Sequence, residues 1–235
     1  MLDIETTGLD KEKCEITVVV IVIYDTVKKN IRNSHCYNIC LEREKGEGPY
    51  EQTKREISAI LNEAEKLVAH NGRSFDLPWL AHWIFPNQED IISTWNAKTI
   101  DFCYEGKQRM DSYIGMQQVC DTNNILISKI ATGKQAILWA QEREWALLEE
   151  YCTADVMVLL EILKKAMDGE GIVLKPKQAK FPKYKQKRCY LVLKILSDMS
   201  VDAQLFNHEE DRPETKLLAS APLHLTETEL QNIFG

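Results

Sequence analysis

Hydrophobic positions along the chain fall into blocks with different periods. Residues 16–24 (Ile-Thr-Val-Val-Val-Ile-Val-Ile-Tyr) form a continuous β-branched run, which predicts a buried strand. Residues 31–41 predict a weaker strand, set off by a polar Lys28-Lys29-Asn30 turn. From Glu51 the period lengthens. Ile57, Ile60, Leu61, Ala64 and Leu67 recur at three- and four-residue intervals, as on one face of an amphipathic helix. Residues 67–70 read as a short strand entering an Asn71-Gly72 turn, and residues 99–102 as another short strand. Residues 77–85 read as a helix, with Pro78 tolerated in its first turn and Pro86 ending it. The longest predicted helix covers about residues 142–167, with Leu148, Cys152, Val156, Leu159 and Leu163 on one face. Strands and helices interleaved in this order predict an α/β sheet with helices packed on its faces.

Composition narrows the class. The 235 residues are 44% hydrophobic and 28% charged, which excludes global disorder and leaves one domain with appendages or two small ones. The longest apolar run is far short of the roughly 18 residues that span a bilayer, so no membrane partner is expected. Acids at Asp3 and Glu5 stand where a secretory signal carries lysines, so the chain reads as intracellular, cytoplasmic or nuclear, and not secreted. Seven cysteines without framework spacing read as reduced thiols. His35, Cys36 and Cys40 lie close together, but no second ligand pair follows, so no zinc centre is expected there.

The net charge of -7 argues against a uniformly basic polyanion binder. Charge is uneven, however. Residues 175–188 hold seven basic residues in fourteen and no acid, interleaved with Phe181 and Tyr184 and followed by Tyr190, a mixture suited to single-stranded nucleic acid, to a solvated linker or to a nuclear localisation sequence. The expected division is therefore a catalytic body over residues 1–170, a basic linker over 171–189, and a small C-terminal segment over 190–235, mostly helical or partly irregular.

Three short segments carry candidate chemistry. In Leu2-Asp3-Ile4-Glu5-Thr6-Thr7-Gly8-Leu9, an extended backbone sends Asp3 and Glu5 to one face, because side chains alternate with period two. Two carboxylates about 7 Å apart repel unless a cation lies between them, and Mg²⁺ or Mn²⁺ prefers such oxygens. Gly8 lets the backbone turn closely behind them. In Asn71-Gly72-Arg73-Ser74-Phe75-Asp76, Asp76 starts a helix after a strand, as an N-cap, a metal ligand or both. In Tyr151-Cys152-Thr153-Ala154-Asp155, Tyr151 and Asp155 lie one turn apart on the long helix, where an interior Asp is costly to bury unless paired or coordinated. Asp101, at a strand end, reads as a turn or cap residue.

Asp3-x-Glu5, Asn71-x-x-x-Phe75-Asp76 and Tyr151-x-x-x-Asp155 occur in the order of the three exonuclease motifs of the DEDD superfamily, in its tyrosine-bearing branch. The phrases Phe-Asp-Leu-Pro-Trp-Leu and Tyr-Cys-x-x-Asp are similar to the proofreading exonuclease domains of family B DNA polymerases. The resemblance covers about residues 1–168 and implies a ribonuclease H-like α/β fold, a five-stranded mixed sheet flanked by helices. The family's first strand carries several apolar residues before its Asp, whereas Met1 and Leu2 alone precede Asp3 here.

The resemblance also implies a mechanism. Of two divalent ions, Mg²⁺ or Mn²⁺, the one that binds the nucleophilic water would be held by Asp3, Glu5 and Asp155, and Asp3 would also bridge to the second, with Asp76 assisting through water. Tyr151 would orient the attacking water. The backbone around Thr6 and Thr7, the Leu9 side chain and Asn71 would hold the terminal nucleotide. The expected activity is 3′–5′ exonucleolytic hydrolysis of single-stranded nucleic acid, DNA favoured, with release of nucleoside 5′-monophosphates. Single-stranded DNA or RNA 3′ ends are the expected partners, together with a separate polymerase or replication or repair protein. The alternatives are an exoribonuclease and a non-catalytic subunit that binds nucleic acid or a polymerase.

Overall fold

The computed structural model describes residues 1–86, 90–127, 130–176 and 190–206. The β-branched run becomes β2 (Ile16–Asp25), the centre of an antiparallel three-stranded sheet between β1 (Leu2–Thr6) and β3 (Asn30–Asn38). Every residue of β2 from Ile16 to Val22 is buried, because both faces of this sheet are covered. On one face Leu2, Ile4, Val19 and Ile21 pack on α2 (Glu47–Glu63), α3 (Asp76–Ile84) and Trp95 of α4 (Asp90–Ala97). On the other, Val18, Val20 and Val22 pack on α7 (Gly133–Glu142) and α8 (Trp145–Ala166). β3 is shorter than expected. Asn38 ends it by capping α1 (Ile39–Glu44), its side chain accepting from the Leu41 amide at 3.0 Å.

The 22 residues of α8 make a rod about 33 Å long, longer than one sheet needs. It is buried on more than one side, every residue from Asp155 to Leu163 included, and serves two cores. Leu148, Cys152 and Val156 join the cluster on β2, whereas Leu159 and Leu163 join a second one. That second cluster holds Val68 of β4 (Leu67–Ala69), Ile100 of β5 (Thr99–Asp101), Phe102 of α5 (Phe102–Met110) and Val119 of α6 (Met116–Asn123). It also takes Ile172 and Leu174 of β6 (Ile172–Leu174) and Leu191, Leu193 and Ile195 of β7 (Tyr190–Ile195).

Two expectations are corrected. Among the described residues the ladders group as β1-β2-β3, parallel β4-β5, and antiparallel β6-β7-β8, with β8 spanning Val201–Phe206, so the strands do not join in one five-stranded sheet. β4 runs beside β1, but the Ile4 amide on that edge donates to the Asp76 carboxylate at 3.1 Å. Residues 190–206 form strands where helix was expected. Leu191, Leu193 and Ile195 alternate with Val192 and Lys194, a period of two that a helix would scatter around its circumference. Residues 177–189, which hold most of the expected basic linker, and residues 207–235 lie outside the described residues.

Candidate metal centre

β1 carries the first candidate residues, and its alternation sorts them. Leu2, Ile4 and Thr6 are buried, while Asp3 and Glu5 between them are half-buried on the face that α8 covers. Their register opposite Val20 and Val18 puts them in the same rows as the valines that pack on α8. Cys152 completes the group from the helix. One ligand atom each of Asp3, Glu5 and Cys152 lies within 4.8 Å of the other two. The Cys152 thiol stands 3.6 Å from Asp3 Oδ2 and 3.5 Å from the Asp3 carbonyl oxygen. Burial first, then the Asp3 and Glu5 carboxylates, push that thiol well above its ordinary pKa.

Tyr151 and Asp155 occupy α8 one turn apart, as their spacing implies, and both are buried. The Tyr151 ring meets Trp139 of α7 edge-on at 6.1 Å. Asp155 is near enough for its charge to act on Cys152, but its oxygens are not part of the Asp3–Glu5–Cys152 group.

Asp76 is placed differently. The N-cap of α3 is Phe75, so Asp76 stands in the first turn rather than at the cap, and it is buried. Its carboxylate accepts from the Ile4 amide, which ties α3 to the edge of β1 between Asp3 and Glu5. Burial raises its pKa to about 7, and the Asp101 charge adds to the rise. Gly72 is required beneath it, since a Cβ there would collide with the Ala69 methyl.

The nucleotide-contact candidates divide. The Thr6 hydroxyl donates to the Gly8 carbonyl at 2.6 Å, and Thr7 Oγ1 accepts from the Glu15 amide at 3.0 Å, so both threonines close the β1–β2 loop. Gly8 permits that closure, because an added Cβ would stand 2.7 Å from Cys14 Sγ. Leu9 is 78% exposed at the same loop. Asn71 sits in the left-handed region at φ 72° and its amide donates to Asp101 Oδ1 at 2.8 Å.

A family model of the RNase_H superfamily matches residues 1–167. The chain belongs to the RNase_H superfamily. A search of curated proteins finds no match. Membership supports a nuclease that works on nucleic acid, and such nucleases usually use divalent metal ions. The half-buried Asp3 and Glu5 pair, with oxygens close together on one strand face, fits that donor chemistry.

Two residues matter more here than their sequence positions indicated. Asp101 is fully buried, and its carboxylate accepts from the amides of Asn71, Arg73, Cys103 and Tyr104 at 2.8–3.1 Å. The cap on α5 was legible from its place at a strand end; its second task, holding the β4–α3 loop, was not. The Arg73 guanidinium lies over the Tyr104 ring at 4.4 Å and strengthens the same junction. Cys152 read as one of the apolar residues of the long helix, next to Tyr151, with nothing to mark it as a neighbour of Asp3.

Among the described residues no helix is long and apolar enough to cross a membrane.

Proposed function

We propose that this RNase_H superfamily protein is a metal-dependent 3′–5′ exonuclease of the tyrosine-bearing DEDD type, similar to polymerase proofreading domains. It acts on single-stranded nucleic acid and releases nucleoside 5′-monophosphates. The observation that carries the reading is the meeting of Asp3 and Glu5 on β1 with the helix that bears Tyr151 and Asp155.

Asp3, Glu5 and Asp155 are the residues that would hold Mg²⁺ or Mn²⁺, with Asp76 behind them. Two such ions supply the positive charge that lowers the pKa of a water and offsets charge gathering on the scissile phosphate. The chain's own residues prepare the place. Asp76 locks the edge of β1 through the Ile4 amide, so the two acids beside Ile4 keep their spacing. Tyr151, fixed by its contact with Trp139, would orient the attacking water through its hydroxyl rather than deprotonate it, since a phenol pKa near ~10 is too high for a base at neutral pH. The closed β1–β2 loop and the Asn71 turn would flank the terminal nucleotide.

A 5′-labelled oligonucleotide incubated with the full chain and Mg²⁺ or Mn²⁺ should shorten in single-nucleotide steps. Matched DNA and RNA strands run side by side assign the sugar. No shortening of either strand, or equal shortening by Asp3→Ala, would refute the reading. Binding without shortening would leave a non-catalytic nucleic-acid-binding subunit.

A further inference from the structure

We infer that Cys152 makes the Asp3–Glu5 face of β1 a site for a thiophilic divalent cation of the Zn²⁺ or Cd²⁺ class, bound by one sulfur and two carboxylates. The site shares Asp3 and Glu5 with the proposed nuclease centre but does not need its activity.

The spacing supports it first. A tetrahedral ion with metal–sulfur and metal–oxygen bonds of about 2.3 and 2.0–2.2 Å sets the two ligand atoms roughly 3.5–3.7 Å apart. Cys152 Sγ and Asp3 Oδ2 are 3.6 Å apart, so no rearrangement of that pair is needed. A thiol–carboxylate hydrogen bond alone would account for Asp3. Strand alternation brings Glu5 to the same face, and its oxygen within the 4.8 Å group supplies the third donor.

The setting supports it independently. Cys152 is fully buried on a regular helix, between Leu148 and Val156 on the same apolar stripe, yet its sulfur is directed at the Asp3 carbonyl and carboxylate. Being held by α8 rather than by a loop, the sulfur is positioned before any ion arrives. Asp3 and Glu5 stay half-buried, which leaves a route for the ion and for a water as the fourth ligand.

Ligand softness then separates two kinds of ion. Mg²⁺ takes oxygens in octahedral geometry and does not favour sulfur, whereas Zn²⁺ and Cd²⁺ accept thiolate and carboxylate together. As the metal–sulfur bond forms, the thiol proton leaves to solvent. A thiophilic ion bound in this way occupies the oxygens that the hard ions require, so Zn²⁺ or Cd²⁺ is expected to inhibit hydrolysis supported by Mn²⁺.

The test is a titration of the full chain with Cd²⁺ alone, followed by the ultraviolet charge-transfer band of a cadmium–thiolate bond. The wild type should develop the band and saturate at a single equivalent. Cys152→Ser, close in size and with the other six cysteines in place, should lose it, and Mg²⁺ should produce none. Glu5→Gln, at a half-buried strand position, should weaken Cd²⁺ binding and serves where Cys152→Ser does not fold, as judged by circular dichroism. No band in the wild type, or an equal band in Cys152→Ser, would overturn the inference. The two readings fail separately: a band without oligonucleotide shortening retains this site and removes the nuclease, and shortening without a band does the reverse.

Discussion

Two pairs of carboxylates in this molecule have the same chemistry and opposite settings. Asp3 and Glu5 are half-buried on one face of β1, with oxygens close to each other and to a sulfur. Asp76 and Asp101 are buried and accept backbone amides, one from Ile4 and four around the β4–α3 and β5–α5 junctions. The first pair bring like charges together on one strand face, an arrangement that a cation between them would favour. The second pair satisfy donors that would otherwise be stranded, so they hold the chain around the first pair. A carboxylate's role here follows from what faces it, not from its residue type.

Removing one member of each pair should give opposite signatures. Asp3→Ala should lower the exonuclease rate by on the order of 10³-fold or more, worth about 4 kcal/mol of transition-state stabilisation, with thermal stability unchanged or raised. Single-turnover digestion beside a melting curve checks both halves. Asp101→Ala should instead cost about 3 kcal/mol of folding stability by stranding four amides in the interior. Urea unfolding measures that loss, and an unchanged midpoint would remove Asp101 from its structural role.

Asp76 lies between the two cases and sharpens the contrast through pH. Its folded pKa of about 7 exceeds the ordinary carboxylate value of 3.8. Below about pH 4 the group is protonated in both states and costs nothing. As pH rises toward 7 the unfolded chain releases the proton while the folded chain retains it, so the metal-free protein should lose stability across this window and level off above it. Asp76→Asn should flatten that slope and stabilise the metal-free protein at pH 8 by on the order of 1–2 kcal/mol. Melting curves of both proteins from pH 4 to 8, in chelator, read this directly. The smallest effect belongs to an exposed acid: Asp10 pairs with Lys13 at 3.1 Å in solvent, and Lys13→Ala should shift stability by less than about 0.5 kcal/mol in a denaturant titration.

Local pattern made several parts of this architecture legible. The run of valines and isoleucines in β2 reflects a strand buried on both faces, the spacing of Ile57, Ile60 and Leu61 in α2 an amphipathic face, and the apolar length of α8 a helix set between two cores, all of which adjacent residues encode directly. Alternation along residues 2–6 was sufficient to put Asp3 and Glu5 on one side of a strand. Other features depended on distant partners. α1 begins where Asn38 caps it, and the edge of β1 goes to a carboxylate 72 residues away. The break between α7 and α8 falls at Arg143, left-handed at φ 60°, a conformation its residue type does not announce.

The sequence by itself determined the strands β2, β4 and β5, the helices α2, α3 and α8, and which acids share a strand face or a helical turn. Those properties depend on the repeat of the backbone, two residues in a strand and 3.6 in a helix, so neighbours along the chain suffice. Only the tertiary structure decided that Cys152 meets Asp3 across 149 residues, that Asp76 serves β1 and that Asp101 binds two loops at once. Such meetings depend on how α8 and α3 lie against the sheet, and that is settled by the packing of whole faces rather than by the spacing of residues within any one segment.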